Sequence, residues 1–550
     1  MRKRKMSMNA ANWCKACLAL AMCMCGVCLA SQVEPRKPEE KKTLVYLLHA
    51  DVLRFDKKKN PDAQIVEGNV RFRHDSIYMT CDSAYFYSKT NSLKAFSHVC
   101  MEQGDTLFLY GDSLYYDGNA KLARVRGNVR MINRNATLTT DSLNYDRVQN
   151  LGYYFDGGML EDEENVLTSV WGQYSPATKQ AVFNFDVELV NPRFTLTSDT
   201  LRYNTQSKVA NIVGPSDIVS DNNQIYSERG FYNTSTQQAE LLERSVLTSD
   251  GRTLTGDSLF YDRVRGYGEA FRRVEMNDTV NRNCLWGDYC FYDEIRQRAL
   301  ATQRAVAVDY SQGDSLFLHA DTLRLLSYHL ETDSTYRTLH AYHRVRVFRP
   351  DIQAVCDSLV FSSQDSCLVM YRDPIVWNGA QQLLGEEIRV FMNDSTIDWA
   401  HIVNQALTVE RKDSVHYNQV NGKEIKAYFD GGEVRRVDVL GSVHVVYYPE
   451  EKDSTMIGMN VSETSVLNMH LRQRKMEKMV MSPKSNGTLY PMDQIPSDKM
   501  YLNNFAWFDY IRPLHKDDIF RWRGKQSGQE LKQSDRRPAP LPNADLIKKR

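Results

Sequence analysis

"GDSLYYD" at residues 111–117 differs by one letter from "GDSLFYD" at 256–262. Taken alone, Gly-Asp-Ser-Leu is the signature of an esterase family, which would make Ser113 a nucleophile. The rest of the chain argues for a structural corner instead. Cassettes of the form small-or-polar, Asp, Ser or Thr, Leu, any residue, aromatic recur as "CDSAYFY" (81), "TDSLNYD" (140), "SDTLRYN" (198), "GDYCFYD" (287), "ADTLRLL" (320) and "CDSLVFS" (356). Weaker copies fill the gaps: "ADVLRFD" (50), "GQYSPAT" (172), "SERGFYN" (227), "GEEIRVF" (385) and "GKEIKAY" (422). Most steps between copies are 29–33 residues, so about thirteen repeats of roughly 29 residues run to about residue 450. Several copies replace the serine, and no alternation of strands with helices surrounds it, as that esterase family requires. The Asp-x-x-His matches at 398–401 and 413–416 carry little weight among twelve histidines.

Phase places the corner. In "TLFLYGDSLYY" the apolar residues Leu107 and Leu109 share one parity, and Leu114 and Tyr116 share the other. Phe194 and Leu196 before Asp199 give way in the same manner to Leu201 and Tyr203, and Ile77 and Met79 to Ala84 and Phe86. Strand side chains alternate with period two, so a parity switch demands a bend or an extra residue. Asp and Ser suit it because short polar side chains bond backbone groups that leave the ladder. A second alternating stretch follows most anchors by 17–19 residues, as in "EGNVRF" (67) and "RGNVRM" (126). The expected fold is all-β: an extended antiparallel sheet folded over along a line of corners, solenoid-like and open-mouthed.

The N-terminus reads as an address. "MRKRKMSMN" is a basic leader, and "ACLALAMCMCGVCLA" (16–30) is an apolar segment ending in a small-residue cleavage site, so 1–30 is expected to be a signal peptide. Its five cysteines leave a lipoprotein as the alternative, though Val27 before Cys28 and Met24 before Cys25 make poor lipoboxes. Removing it takes away five basic residues and no acidic ones, leaving 64 basic against 69 acidic side chains. That balance argues against nucleic acid as a partner. Six cysteines remain (81, 100, 284, 290, 356 and 367), with no CxxC pair, so no metal is expected. They read best as small buried hydrophobes. No cofactor motif is found, and no Walker-type phosphate loop.

The phrases "VEGNVRFRHDSIYMTCDSAYFY" (66–87), "VRGNVRMINRNATLTTDSLNYD" (125–146) and "RTLTGDSLFYD" (252–262) resemble the OstA/LptA family of lipopolysaccharide-transport proteins. The resemblance implies a β-taco or β-jelly-roll with an apolar inner face that holds the acyl chains of lipopolysaccharide or lipooligosaccharide. It implies a periplasmic location and a bridge between the membranes of a Gram-negative cell. It also implies inner-membrane LptC-like and outer-membrane LptD-like partners joined through sheet edges, and no enzymatic activity. Candidate groove liners are Val70, Phe72, Ile77, Met79, Phe86, Val99, Leu107, Leu109, Leu114, Tyr116, Val129, Met131, Leu138, Leu143 and Tyr145. An ordinary dry β-core would use the same residues. The competing functional reading is therefore a structural or adhesive repeat protein, with the esterase third.

The likeness is clearest over 44–150 and continues more loosely to about 450, with an OstA/LptA-like repeat region expected over 44–190 and a more divergent continuation over 191–483. Repetition stops near residue 484. The aromatic cluster Phe505, Trp507, Phe508, Tyr510, Phe520 and Trp522 marks 484–523 as a cap for the open sheet or a docking segment. The polar stretch 524–550 is expected to be disordered. If each repeat supplies two strands, the stack spans about 125 Å; if one, about half that.

Overall fold

The computed structural model describes residues 43–531, except 57–60, 221–222, 250, 312, 331, 333, 394–395, 452 and 473–474. The expected signal peptide, and the tail beyond residue 531, lie outside the described residues. Among the described residues, 36 strands form one sheet, and every strand pair is antiparallel. No α-helix occurs among them; four short 3-10 turns lie between Met492 and Phe520.

Chain order is spatial order. Gln64–His74 pairs with Ile77–Tyr87, which pairs with Ser92–Gln103, which pairs with Leu107–Asp117, and the meander continues to the C-terminal end. In eight places one bent strand is divided into two short ones on the same neighbour. Leu151–Tyr154 and Gly158–Asp162, both on Ala136–Asp146, are one example. Joining these leaves 28 rungs, about two per repeat with the remainder beyond the last repeat, a stack of about 130 Å at 4.8 Å per strand.

Each rung bends where the phase argument places the corner. In Leu107–Asp117 the buried residues are 107 and 109 and then 114 and 116, with Asp112 exposed between. The ladder slips at the same point: Tyr110 pairs with Arg130, and the next pair is Ser113 with Arg126. The backbone excursion sits on the partner strand, as two consecutive left-handed residues. These are Gly68-Asn69, Ser97-His98, Gly127-Asn128, Phe185-Asp186, Arg272-Arg273 and Gly441-Ser442, among others. Most of these residues are not glycine, so the conformation has to be held by partners. The corner acids supply them. Asn69 donates to Asp51 (2.9 Å), Asn128 to Asp112 (2.8 Å), Arg273 to Asp257 (2.7 Å) and Gln405 to Glu386 (2.6 Å), and His98 Nδ1 lies 2.7 Å from Asp82. At Gly127 an added Cβ would stand 2.5 Å from the Asp112 carboxylate, which explains glycine there.

The two arms of each bend face each other as walls. Phe72 and Phe86 lie on opposite walls with ring centroids 5.4 Å apart, as do Phe194 and Tyr232 at 4.7 Å. One contiguous core runs between the walls from Val45 to Leu467. The six cysteines are unpaired, and all but Cys100 are buried, each thiol pushed up in pKa by burial.

From about residue 500 the chain returns down the stack as a strap over the outer face of one wall. Gln419 donates to the Met500 carbonyl and accepts from the Leu502 amide (2.8 and 2.9 Å). Gln382 does the same with Ala506 and Phe508 (both 2.8 Å), and Arg512 donates to Gln353 (2.7 Å). Phe508 and Ile511 cover Val355, Trp377, Leu384, Leu407 and Val409, while Ile519 covers Cys284, Val306 and Val308. The aromatic segment therefore lies across the strands of the second half rather than on the last edge.

Candidate functional site

All fifteen candidate groove liners face the space between the walls and belong to the single core. Phe86 is the most exposed of them, at 8 %. They lie in a part of the stack where the inner face is sealed: Met101, Leu138, Leu167, Leu196 and Ile212 are at most 1 % exposed. Exposure then rises along the stack, to 3 % at Ile218 and 6 % at Ile225. From Leu247 onward inner-facing residues nearest the mouth are only half-buried, among them Leu254, Tyr261, Leu285, Leu339, Leu383 and Met479. The expected open mouth is thus found in the second half, while the first is shut. Phase reasoning found the inner face everywhere but could not tell which part water reaches.

The first half is shut by a polar seam. Four tyrosines of the repeat reach across the mouth to a polar residue at the end of the opposite wall. Tyr116 donates to His74 Nδ1 (2.6 Å), Tyr145 to Gln103 (3.2 Å), Tyr174 to Asn133 (3.2 Å) and Tyr203 to Asp162 (2.7 Å). These tyrosines recur every 29 residues, so the seam is a direct product of the repeat. Ion pairs reinforce it: Lys121 with Asp75 (3.4 Å), and Lys208 with Asp162 and Glu163 (3.2 and 3.5 Å). Burial keeps the phenols protonated, pushing Tyr116 and Tyr145 up to about 12. It also lowers the pKa of His74, opposed by Asp75 and assisted by Arg147, so the neutral imidazole accepts from Tyr116. At the next rung Tyr232 packs on Phe194 instead of a polar partner.

Ser113 lies at a corner on the outer side, paired in register with Phe96 and Arg126. It borders a shallow outer depression of about 700 Å3 that Lys94, Tyr115, Arg124 and Arg126 also line. The base a serine nucleophile needs is not among its register partners, and its Asp112 neighbour is engaged with Asn128. The geometry is that of a bend. What the site can do chemically is shield apolar matter between two walls, reached from solvent over the second half.

Residues 42–199 and 195–257 match the model of the family described as OstA-like protein, so the similarity to that family covers the sealed half and slightly beyond it. The solved structure of LptH, titled the LptA homologous periplasmic component of the conserved lipopolysaccharide transport device from Pseudomonas aeruginosa, is similar to 21 % of this chain. The likeness covers 94 % of the LptH chain, at 16 % identity and a TM-score of 0.20. No curated protein matches the sequence. No helix among the described residues is long and apolar enough to cross a membrane.

Proposed function

We propose that this chain, OstA-like over residues 42–257, is a non-enzymatic periplasmic bridge that carries lipopolysaccharide or lipooligosaccharide by its acyl chains toward the outer membrane. The observation that carries this reading is an unbroken apolar interior along 28 rungs, with water-accessible inner side chains from Leu247 to Met481. Each methylene taken out of water contributes about 0.8 kcal/mol, so one twelve-carbon chain gains roughly 10 kcal/mol before ordering costs. Entry is over the second half, where no seam has to part. The unpaired edges at the two ends of the stack are where LptC-like and LptD-like components join. Tyr46–His49 and Val52–Phe55 form one such edge, with Tyr46, Leu48, Leu53 and Phe55 exposed. Energy for transport comes from elsewhere, since the sequence carries no Walker-type phosphate loop.

The experiment is photocrosslinking in cells with a reactive residue at Leu254 or Leu383, compared with Leu138, followed by mass spectrometry. Lipid A species on Leu254 and Leu383 are expected. Absence of any lipid adduct at all three, with normal surface lipopolysaccharide after depletion, sinks the proposal. It would leave the dry repeat protein, a reading that the sealed interior around Leu138 favours for the first half alone.

A further inference from the structure

The rungs of the seam share one backbone plan, and among those closed by a lysine one departs from the rest. On one rim, Lys121, Asn150, Lys179 and Lys208 each close a hairpin in the left-handed region, with φ of 54°, 51°, 62° and 59°. On the other rim, Asp75, Gly104, Arg134 and Glu163 hold the matching place, also left-handed, with φ of 55°, 65°, 55° and 32°. Where a lysine closes the first and last of these rungs, an acid faces it: Asp75 for Lys121, and Glu163 with Asp162 for Lys208. At the third rung the acid is replaced by Arg134. Lys179 Nζ is left to donate to the amide oxygen of Asn133, which also accepts from the buried Tyr174 hydroxyl. Burial and the Arg134 charge both push the Lys179 pKa down.

Arg134 is exposed and Lys179 half-buried on the same rung, so two cations repel there with no acid among the described residues paired to either, unlike the other lysine rungs. Arginine and lysine together, beside an amide and a phenol, are the donor set that recognises a phosphate. We propose that Arg134, Lys179, Asn133 and Tyr174 form a phosphate-binding site at the mouth of the cleft, which takes the phosphate of an amphiphile's polar head. This rests on the lipid-carrying reading above, with the amphiphile that enters over the second half passing along the rim to this rung of the first. In this reading the anion replaces Asn133 as the acceptor for Lys179 and restores the charge balance of the two other lysine rungs.

The test uses the mature full-length chain, with binding of diphosphorylated lipid A, its enzymatically dephosphorylated form, and inorganic phosphate alone. The double variant Arg134→Gln/Lys179→Gln is expected to bind the phosphorylated amphiphile about tenfold or more weakly and the dephosphorylated one unchanged. Lys179→Arg retains binding, and Lys208→Gln in the compensated rung leaves the difference between the two amphiphiles intact. Competition by millimolar inorganic phosphate, lost in the double variant, also supports the site. Equal binding of the phosphorylated form by wild type and double variant overturns it, as does an equal loss for both amphiphiles. If wild type binds neither amphiphile, the transport proposal fails. The phosphate site then stands only if inorganic phosphate binds wild type and not the double variant, and is otherwise overturned.

Discussion

The two halves of the stack use the same bend, the same register slip and the same alternation of apolar residues, yet one is sealed and the other is open. In the first, tyrosines 29 residues apart reach hydrogen-bond partners on the opposite rim. In the second, Tyr261 and Tyr292 occupy inner positions near the mouth but are only half-buried, and the stabilising contact moves to the outside, where the strap braces one wall. The inner wall therefore fixes that a cleft exists, and the rim residues fix whether it is shut. The bridge proposed above needs a stiff spine and a fillable interior. The second half obtains its stiffness without filling its mouth.

The sharpest way to break this comparison is to cut the same side chain in both halves. Leu138→Ala leaves a cavity in a sealed interior and should cost about 2–5 kcal/mol in urea unfolding. Leu254→Ala removes a side chain already half in water, and less than half that loss is expected. Equal losses would mean that the second half is as closed as the first. The strap supplies the next largest effect. Gln382→Ala leaves the Phe508 amide, the Ala506 carbonyl and the Trp377 indole N–H unpaired while buried, a loss of about 2–3 kcal/mol. Hydrogen exchange should speed up over 500–512 and in the strands beneath, with residues 64–204 unchanged.

Acid should also separate the halves. His319 lies under the strap beside Phe520, its Nδ1 2.7 Å from the Ala305 carbonyl. Burial, then the charge of Arg346, pushes its pKa down to about 4, with Arg304 acting in the same direction and Asp321 opposing. The unfolded chain takes up this proton near pH 6.5 and the folded chain only near 4, so stability is complete above 6.5 and falls as pH drops through that window. Proteolysis of the strap should rise from pH 6.5 to 4.5, and His319→Gln should flatten the profile. His74 in the seam is shifted in the same direction, but Asp75 beside it opposes the shift, so a weaker dependence is expected in the first half.

Much of this was legible in the sequence because period-two alternation leaves a readable phase. The bend at Asp112, the two-wall arrangement and the inward direction of Leu138 and Tyr145 all follow from parity. The left-handed pairs escaped because Phe185-Asp186 and Arg272-Arg273 lack glycine, which is the usual sign of positive φ. The signal that would have found them is the 16-residue interval from Asp82 to His98, from Asp112 to Asn128 and from Asp257 to Arg273. The seam escaped because the cassette tyrosine was read as wall, whereas its hydroxyl needs a partner once buried. The path of the strap left a mark too: Val355, Trp377 and Leu384 are apolar on the outer parity, where an uncovered wall would be polar. No local pattern states which segment covers them, since the strap's contacts lie more than 80 residues away in sequence.

The corners give the smallest effect and the strictest control. If the halves differ only at the mouth, their bends should respond alike to loss of the corner acid. Asp112 accepts one hydrogen bond from Asn128, and Asp357 accepts from Arg372 (3.1 Å) with His343 Nδ1 at 3.4 Å, all partly or fully exposed to solvent. Such bonds are screened and each contributes about 1 kcal/mol or less. Asp112→Ala and Asp357→Ala should therefore lower the unfolding midpoint slightly and by similar amounts, with hydrogen exchange changed only at the left-handed pairs they hold. A large loss confined to Asp357→Ala would place part of the difference between the halves in the fold line itself, and the view that the rims alone decide closure would have to be given up.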